Sequence, residues 1–235
     1  MRYSRNIDHF FVSQPEDVGP WRTATGTPTG LLSIGTDVFG LGSSQGDRRV
    51  DILRVGRQPP EWDDDEDNAR ACAAVGLRYQ GRPPLAENAS VNQSLLMQAY
   101  ANSRYAISFS NRMDRQSYTH RTREYVTFRW LDALAAGAVV AGVAPRCDMA
   151  AQYFWPGALL ELGGIERASG LASIAEARRS WTPDVCMRNH REALLRLDWR
   201  WRFKVIADHF GLSTPKLDRE LDEIRRRTAV QIALT

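Results

Sequence analysis

From Arg49 onward, short apolar runs alternate with longer segments of helical periodicity, and this alternation limits the possible folds more than any other sequence feature. The apolar runs predict buried strands at 50–55, 77–79, 105–109, 138–144 and 158–162, after a short strand at 8–12. Amphipathic spacing predicts helices near 69–75, 92–102, 125–136, 146–153, 167–178, 184–196, 199–210 and 215–230. We therefore predict an α/β fold with βαβ units and a Rossmann-like, mainly parallel sheet of about six strands.

The first 48 residues have a different character. Glycine and proline recur so often over 13–48 that we expect a linker or a wrapping segment without regular elements. The chain is thus divided into a strand and linker (1–48), a Rossmann-like domain (49–212) and a C-terminal helix (213–235). Ligands of parallel sheets bind beyond the carboxyl ends of the strands, so the loops after Val55, Phe109 and Val140 are the first places to search.

The composition excludes several classes of protein. A hydrophobic share of 43% and a charged share of 25% are those of a globular chain. No apolar run reaches the roughly 20 residues of a transmembrane helix, and no secretory signal is visible. Three widely spaced cysteines argue against a disulfide framework and predict a cytoplasmic protein. A net charge of +3 is too small to indicate nucleic-acid binding. The acidic run at 61–67 is interpreted as a solvated helix start.

The loop at 110–123 and the helix predicted after it form the strongest candidate site. The loop carries five basic side chains and several hydroxyl groups, which are suitable donors to a diphosphate. The unpaired N–H groups of the following first helical turn also favour an anion. An amphipathic core helix behind a solvated basic loop is the alternative, and periodicity alone does not separate the two.

Two carboxylates in this segment have a spacing of interest. Glu124 and Asp132 lie eight residues apart, and eight helical steps of about 100° place them roughly on one side of a helix. A carboxylate can accept hydrogen bonds from two hydroxyl groups at once, which is a common way to hold a sugar or a ribose.

The same segment contains a longer motif: Glu124, seven residues, Asp132, and then Ala-Leu-Ala-Ala-Gly before an apolar strand. This motif resembles the nucleotide-sugar signature of GT-B glycosyltransferases. The resemblance implies that Glu124 faces the donor sugar and that Asp132 holds the ribose hydroxyls. The family has a second Glu where this chain has Asp. Val55-Gly56-Arg57 resembles the family's strand end near the donor diphosphate, although the usual later Lys is absent. Arginines of the 112–123 loop would replace it.

The resemblance covers about residues 30–212 and implies the C-terminal, donor-binding half of a GT-B enzyme, with 1–48 as the remnant of a first domain. The expected activity is transfer of a hexose from a nucleotide-diphosphate sugar to an unknown hydroxyl acceptor, without a metal or a further cofactor. A separate subunit or a second copy of the chain would supply the missing acceptor domain. The alternative is a non-catalytic module that binds a nucleotide sugar or a partner. A plain dinucleotide-binding domain is disfavoured because no G-x-G-x-x-G follows a strand.

The residues expected to contact the nucleotide sugar are those that flank the carboxyl edge of the sheet. They are Arg57, Ser110, Thr119, Arg121, Arg123, Glu124, Thr127 and Asp132. No catalytic residue is assigned, and Glu124 and His120 are the candidates. His120 could act as a general acid or base, could contact a phosphate or a hydroxyl, or could be solvated.

Overall fold

A computed structural model describes the main chain at residues 6–113 and 119–232, and the side chains up to residue 229. The strands are β1 (Phe10–Val12), β2 (Thr29–Leu31), β3 (Val50–Arg54), β4 (Tyr79–Gln80), β5 (Ser103–Phe109), β6 (Val139–Val143) and β7 (Leu159–Glu161). The α-helices are α1 (Val18–Thr25), α2 (Val38–Leu41), α3 (Asp65–Ala74), α4 (Ala89–Ala101), α5 (Phe128–Ala135), α6 (Asp148–Tyr153), α7 (Arg167–Arg179), α8 (Asp184–Arg196), α9 (Trp199–His209) and α10 (Pro215–Ile232). No described helix is both long enough and apolar enough to cross a membrane.

The main sheet contains five parallel strands in the order β4-β3-β5-β6-β7. The α/β class and the parallel sheet predicted from the sequence are confirmed. The sheet has one strand fewer than the six expected, because β1 pairs with β2 in a separate two-stranded ladder. The strand order reverses direction between β3 and β5, so the fold is doubly wound and has its topological switch point there.

Helices cover both faces of the main sheet. Helices α4, α5, α6, α8 and α10 pack on one face, where Trp130 and Leu134 are fully or almost fully buried. Helices α3 and α7 pack on the other face around Trp62, Ile107 and Ile174. The strands are therefore buried on both sides, which explains why their central residues are mostly apolar.

Helix α5 begins later than its periodicity predicts. It starts at Phe128 rather than Tyr125, because the preceding residue, Thr127, has an extended backbone (φ −113°, ψ 167°). Residues 124–127 instead run across the carboxyl edge of the sheet, where Glu124 is held by long-range hydrogen bonds. The two carboxylates of the signature therefore do not share one helix, and the prediction that Glu124 lies in the first helical turn is wrong.

The segment 13–48 contains regular elements that the sequence analysis did not predict. Helix α1 includes Pro20 in its first turn, where a missing N–H costs nothing, and it ends at Gly26 with a left-handed backbone (φ 68°). Strand β2 follows directly and pairs with β1. A high density of glycine and proline therefore marks the ends of short elements here rather than a continuous loop.

Arg48 joins the end of this segment to the main domain. Its side chain is buried, and its guanidinium donates to four main-chain carbonyl groups, those of Gln45, Tyr100, Ser103 and Ala136. Two of these carbonyls lie at the C-terminal ends of α4 and α5, where unpaired acceptors favour a cation.

The acidic run at 61–67 also has structural partners. Asp63 and Asp65 form ion pairs with Arg54, a side chain only 5% exposed at the end of β3. Asp64 accepts a hydrogen bond from the main-chain N–H of Asp67 and so caps α3. Asp63 and Asp65 are therefore ion-paired as well as partly exposed, at 46% and 41%, where α3 begins.

Candidate functional site

A groove lies at the topological switch point, between the loops that follow β3 and β5. One part is a cavity of about 250 Å³. Its walls are formed by Gly56, Arg57, Gln58, Pro59, Phe109, Asn111, Thr119, Tyr125, Thr127 and Arg129. A second cavity of about 360 Å³ lies across Gly56 and Arg57, against the loop after β4 and the start of α4. The groove therefore occupies the place where doubly wound sheets bind their ligands.

The N-terminus of α5 faces the smaller cavity. Thr127 is the N-cap residue, but its hydroxyl does not cap the helix. Its Oγ1 is buried and has no hydrogen-bond partner among the described residues. The first N–H groups of a helix have no intrahelical acceptor, and the helix dipole adds partial positive charge there. This end of α5 therefore has the chemistry of an anion site.

Gln58 contributes a second buried polar group to the cavity wall. Its Nε2 donates to the carbonyls of Val55 (2.9 Å) and Ile107 (3.1 Å), which joins the ends of β3 and β5. These two bonds assign the amide orientation and leave Oε1 buried, with no partner in the described part of the chain. This role of Gln58 was not predicted from the sequence, where only the absence of the family's Lys after Arg57 was apparent.

Arg129 is the other residue that the sequence analysis missed. Its Nη1 contacts the carbonyl of Arg57 and lies 3.5 Å from that of Val55. The chain can pass this close because Gly56 has a left-handed backbone (φ 68°), and a Cβ there would lie 3.2 Å from Cδ of Arg129. Arg129 was overlooked because a helix starting at Tyr125 would place it beyond the first turn.

Glu124 lies at the carboxyl edge, as expected of a residue near the site. Its carboxylate accepts hydrogen bonds from the Ser110 hydroxyl (2.8 Å) and the main-chain N–H of Arg146 (2.8 Å). Arg112 Nη1 lies 3.7 Å from the other oxygen. Glu124 therefore bridges the loops after β5 and β6, and its charge is partly compensated.

Asp132 lies apart from Glu124, inside the domain. Its two oxygens accept hydrogen bonds from the Thr36 hydroxyl (2.6 Å) and from Nε2 of Gln93 (3.3 Å). The side chain is buried, and burial raises the pKa of the carboxyl group, although these two hydrogen bonds oppose the shift. The structure thus gives Asp132 two protein partners, one in α4 and one in the N-terminal segment.

The predicted basic loop divides between the groove and other contacts. Thr119 lines the smaller cavity, and Arg121 is exposed. Arg123 forms an ion pair with Asp17 (2.6 Å) that raises the pKa of its guanidinium, so this cation contacts the N-terminal segment. His120 is exposed, and its Nδ1 accepts the main-chain N–H of Arg123 at 2.9 Å. The middle of the loop, 114–118, lies outside the described residues.

The chain was compared with protein families, curated proteins and solved structures. No protein-family model matches the sequence, and no curated protein matches it significantly. Among solved structures, it is similar to sucrose-phosphate synthase from Thermosynechococcus elongatus, with a TM-score of 0.53, 12% identity and coverage of 88% of this chain and 58% of the synthase. It is also similar to HepE from Anabaena in complex with UDP-glucose, with a TM-score of 0.51, 12% identity and coverage of 88% of this chain and 65% of HepE.

The fold is that of GT-B glycosyltransferases. The chain spans less than two thirds of the length of the synthase or of HepE, which is consistent with a C-terminal half. The GT-B resemblance seen in the sequence is therefore confirmed at the level of fold. The switch-point groove described above is the candidate functional site of this fold.

Proposed function

We propose that this chain binds a nucleotide-diphosphate sugar in the switch-point groove and transfers the hexose to a hydroxyl acceptor. The observation that supports the proposal most strongly is the smaller cavity itself. It combines the N-terminus of α5, the guanidinium-bearing residues Arg57 and Arg129, and two buried polar atoms without partners, on Thr127 and Gln58. Buried polar atoms without partners are rare, so this cavity suits a polar ligand.

The diphosphate would lie at the start of α5. Main-chain N–H groups, the Thr127 hydroxyl and nearby arginines are all donors, and each bond to a charged phosphate oxygen is worth roughly 1.5–3 kcal/mol. The same donors would stabilise the negative charge that develops on the departing diphosphate. These donors would stabilise the departing diphosphate without the help of a metal ion.

The other parts of the donor would extend to either side. The larger cavity, with apolar walls from Pro83, Leu85 and Leu96, would accept the nucleoside. Glu124 would face the sugar, and Asp132 would accept the ribose hydroxyls if it exchanged one protein partner for the ligand. HepE is in complex with UDP-glucose, and this likeness supports a nucleotide sugar as the ligand class here.

In the proposed reaction, the bond between the anomeric carbon and the diphosphate oxygen breaks, and a new bond forms to the acceptor oxygen. The acceptor proton passes to a base, for which Glu124 and His120 are the candidates, and the nucleoside diphosphate leaves. We propose that a partner subunit or a second copy of the chain binds the acceptor. We expect this reaction in the cytoplasm.

A non-catalytic module that binds the nucleotide sugar is the second candidate. The Asp132 contacts favour it, because both oxygens of this carboxylate already have protein partners. Such a module would retain the cavity and lack turnover.

Calorimetric titration with UDP-, GDP-, ADP- and dTDP-sugars tests the proposal, and release of free nucleotide is measured in parallel. We expect saturable binding of one donor class. Donor hydrolysis or transfer would then identify an enzyme, whereas binding without turnover would identify the module. Failure of every donor and every free nucleoside diphosphate to bind would contradict both.

A further inference from the structure

A group of arginines lies at the opposite, amino edge of the sheet. Asp51, the second residue of β3, has a fully buried side chain. Its carboxylate contacts Arg104 Nη1 (2.6 Å), Arg178 Nε (2.9 Å) and Arg78 Nε (3.4 Å). We call these four residues the amino-edge cluster. Its members come from β3, β5, the end of α7 and the residue before β4, so they are distant in sequence and meet only in the fold.

The cluster has more positive than negative charge. Burial acts to raise the pKa of Asp51, but hydrogen bonds from Arg78 and the charges of Arg178 and Arg104 outweigh it and lower the pKa. Asp51 therefore remains ionised at neutral pH. Within the described residues it is the only carboxylate paired with any of the three arginines, which leaves a surplus of two positive charges.

The cluster also has hydrogen-bond donors in excess. A guanidinium has five N–H bonds, and Asp51 accepts only one hydrogen bond from the side chain of each arginine. Nη2 of Arg78 also donates to the main-chain carbonyl of Arg48 at 3.3 Å. The side chains of Arg78 and Arg178 are 53% and 42% exposed. Arg104 lies over the ring of Trp181 at 4.9 Å. The indole N–H of Trp181 is buried and has no acceptor among the residues described.

We propose that the amino-edge cluster binds a phosphoryl dianion. A phosphate group carries about −1.5 to −2 charges at pH 7 and has three acceptor oxygens, which matches the surplus charge and the exposed guanidinium donors. Arginine suits this ligand better than lysine does, because its planar fork contacts two oxygens at once. Free phosphate and a phospholipid headgroup share this chemistry.

This site is separate from the switch-point groove. Strand β5 has seven residues, with Arg104 near its start and Phe109, a wall of the groove, at its end. At about 3.3 Å per residue, the two sites lie roughly 15–20 Å apart along the strand. The inference therefore does not depend on nucleotide-sugar binding, and either site can fail alone.

Titration of ¹⁵N-labelled protein with inorganic phosphate tests the proposal, and the indole N–H resonance of Trp181, assigned with Trp181→Phe, is the readout. We expect a saturable shift that sodium chloride of equal ionic strength does not produce. Arg178→Gln should weaken phosphate binding about fivefold or more. Arg179→Gln is the matched control, since the next residue of α7 is 77% exposed, pairs with Glu176, and should leave binding unchanged.

Arg78→Gln is the second variant, because Arg78 is exposed and makes the longest contact with Asp51, so its loss should spare the fold. It should also weaken phosphate binding. A shift reproduced by chloride, or phosphate affinity unchanged in both variants, would overturn the proposal.

Sedimentation with vesicles of phosphatidic acid, compared with vesicles of phosphatidylcholine, distinguishes the two sources of the phosphoryl group. Retention by phosphatidic acid that Arg78→Gln weakens identifies a lipid headgroup as the ligand. Phosphate binding without retention on the vesicles identifies a free anion.

Discussion

The hydroxyl group of Thr36 donates a hydrogen bond of 2.6 Å to Oδ1 of Asp132, which joins the N-terminal segment to the middle of α5. Oδ2 of the same carboxylate accepts from Gln93 in α4 at 3.3 Å. The acid that the GT-B resemblance assigns to ribose is thus also an internal link between three parts of the chain. Its two roles have different experimental consequences.

The internal role predicts a pH-dependent stability. Burial raises the pKa of Asp132 in the folded state above the unfolded value of about 3.9, so the folded state holds this proton more tightly. The contribution of Asp132 to stability is therefore greatest in acid and decreases as pH rises through the folded-state pKa. Urea unfolding of wild type and Asp132→Asn between pH 4 and 8 should show the variant gaining relative stability as pH rises. Parallel curves would contradict this account.

The ribose role predicts a loss of ligand affinity. Asp132→Asn retains the shape of the side chain but loses its charge, and a hydrogen bond to a charged group is worth roughly 1.5–3 kcal/mol. We expect the affinities for a nucleoside and its diphosphate to decrease together, by about tenfold, while circular dichroism shows an intact fold. Thr36→Val is the control, because it removes an internal partner and leaves the carboxylate. Unchanged nucleoside binding in Asp132→Asn would restrict Asp132 to its internal role.

The ion pair between Arg123 and Asp17 predicts competition with the ligand. If Arg123 turns toward the diphosphate, Asp17→Asn should strengthen diphosphate binding by up to about fivefold and leave nucleoside binding unchanged, since exposed ion pairs are weak. The gain should diminish as salt rises, because exposed charges are screened. Glu176→Gln, a change of an exposed acid on α7 that pairs with Arg179, is the control. If Asp17→Asn changed the affinities for the diphosphate and the nucleoside equally, Arg123 would not contact the diphosphate.

The contact between β5 and β6 predicts that Gly142 tolerates no side chain. A Cβ at this position would lie 1.6 Å from the main-chain oxygen of Ser108, and neither strand can move without breaking the sheet. Gly142→Ala should lower the free energy of unfolding by about 3 kcal/mol or more. Gly163→Ala, where no atom lies within 4 Å of the new Cβ, should have an effect near zero in the same denaturation experiment.

Local pattern was sufficient to predict the five strands of the main sheet. Strand β5 is buried at six of its seven residues, and this burial is visible in the sequence as the mostly apolar run at 105–109. The end of the helix before Gly137 was also predictable, because this glycine adopts a left-handed backbone (φ 80°). These features depend on the chain's own local sequence.

The candidate site was less predictable because it depends on distant contacts. The start of α5 depends on Glu124 contacting Ser110 and Arg146, 14 and 22 residues away. Arg123 pairs with Asp17, which lies 106 residues away in the sequence, and neither residue type nor spacing predicts that partner. Only the position of Gln58, two residues after Gly56, could have suggested a role at the strand end.

Titration calorimetry of wild type and Arg57→Ala tests whether the switch-point groove holds a nucleoside diphosphate. Arg57 is exposed at the cavity wall, and circular dichroism of Arg57→Ala checks that the fold is retained. We expect one diphosphate per chain, an affinity about tenfold or more weaker in Arg57→Ala, and nucleoside binding that is nearly unchanged. Arg70→Ala, at an exposed position on α3, should behave as wild type. Two results would contradict binding of a nucleoside diphosphate in this groove: no binding by wild type, or the same diphosphate affinity in Arg57→Ala as in Arg70→Ala.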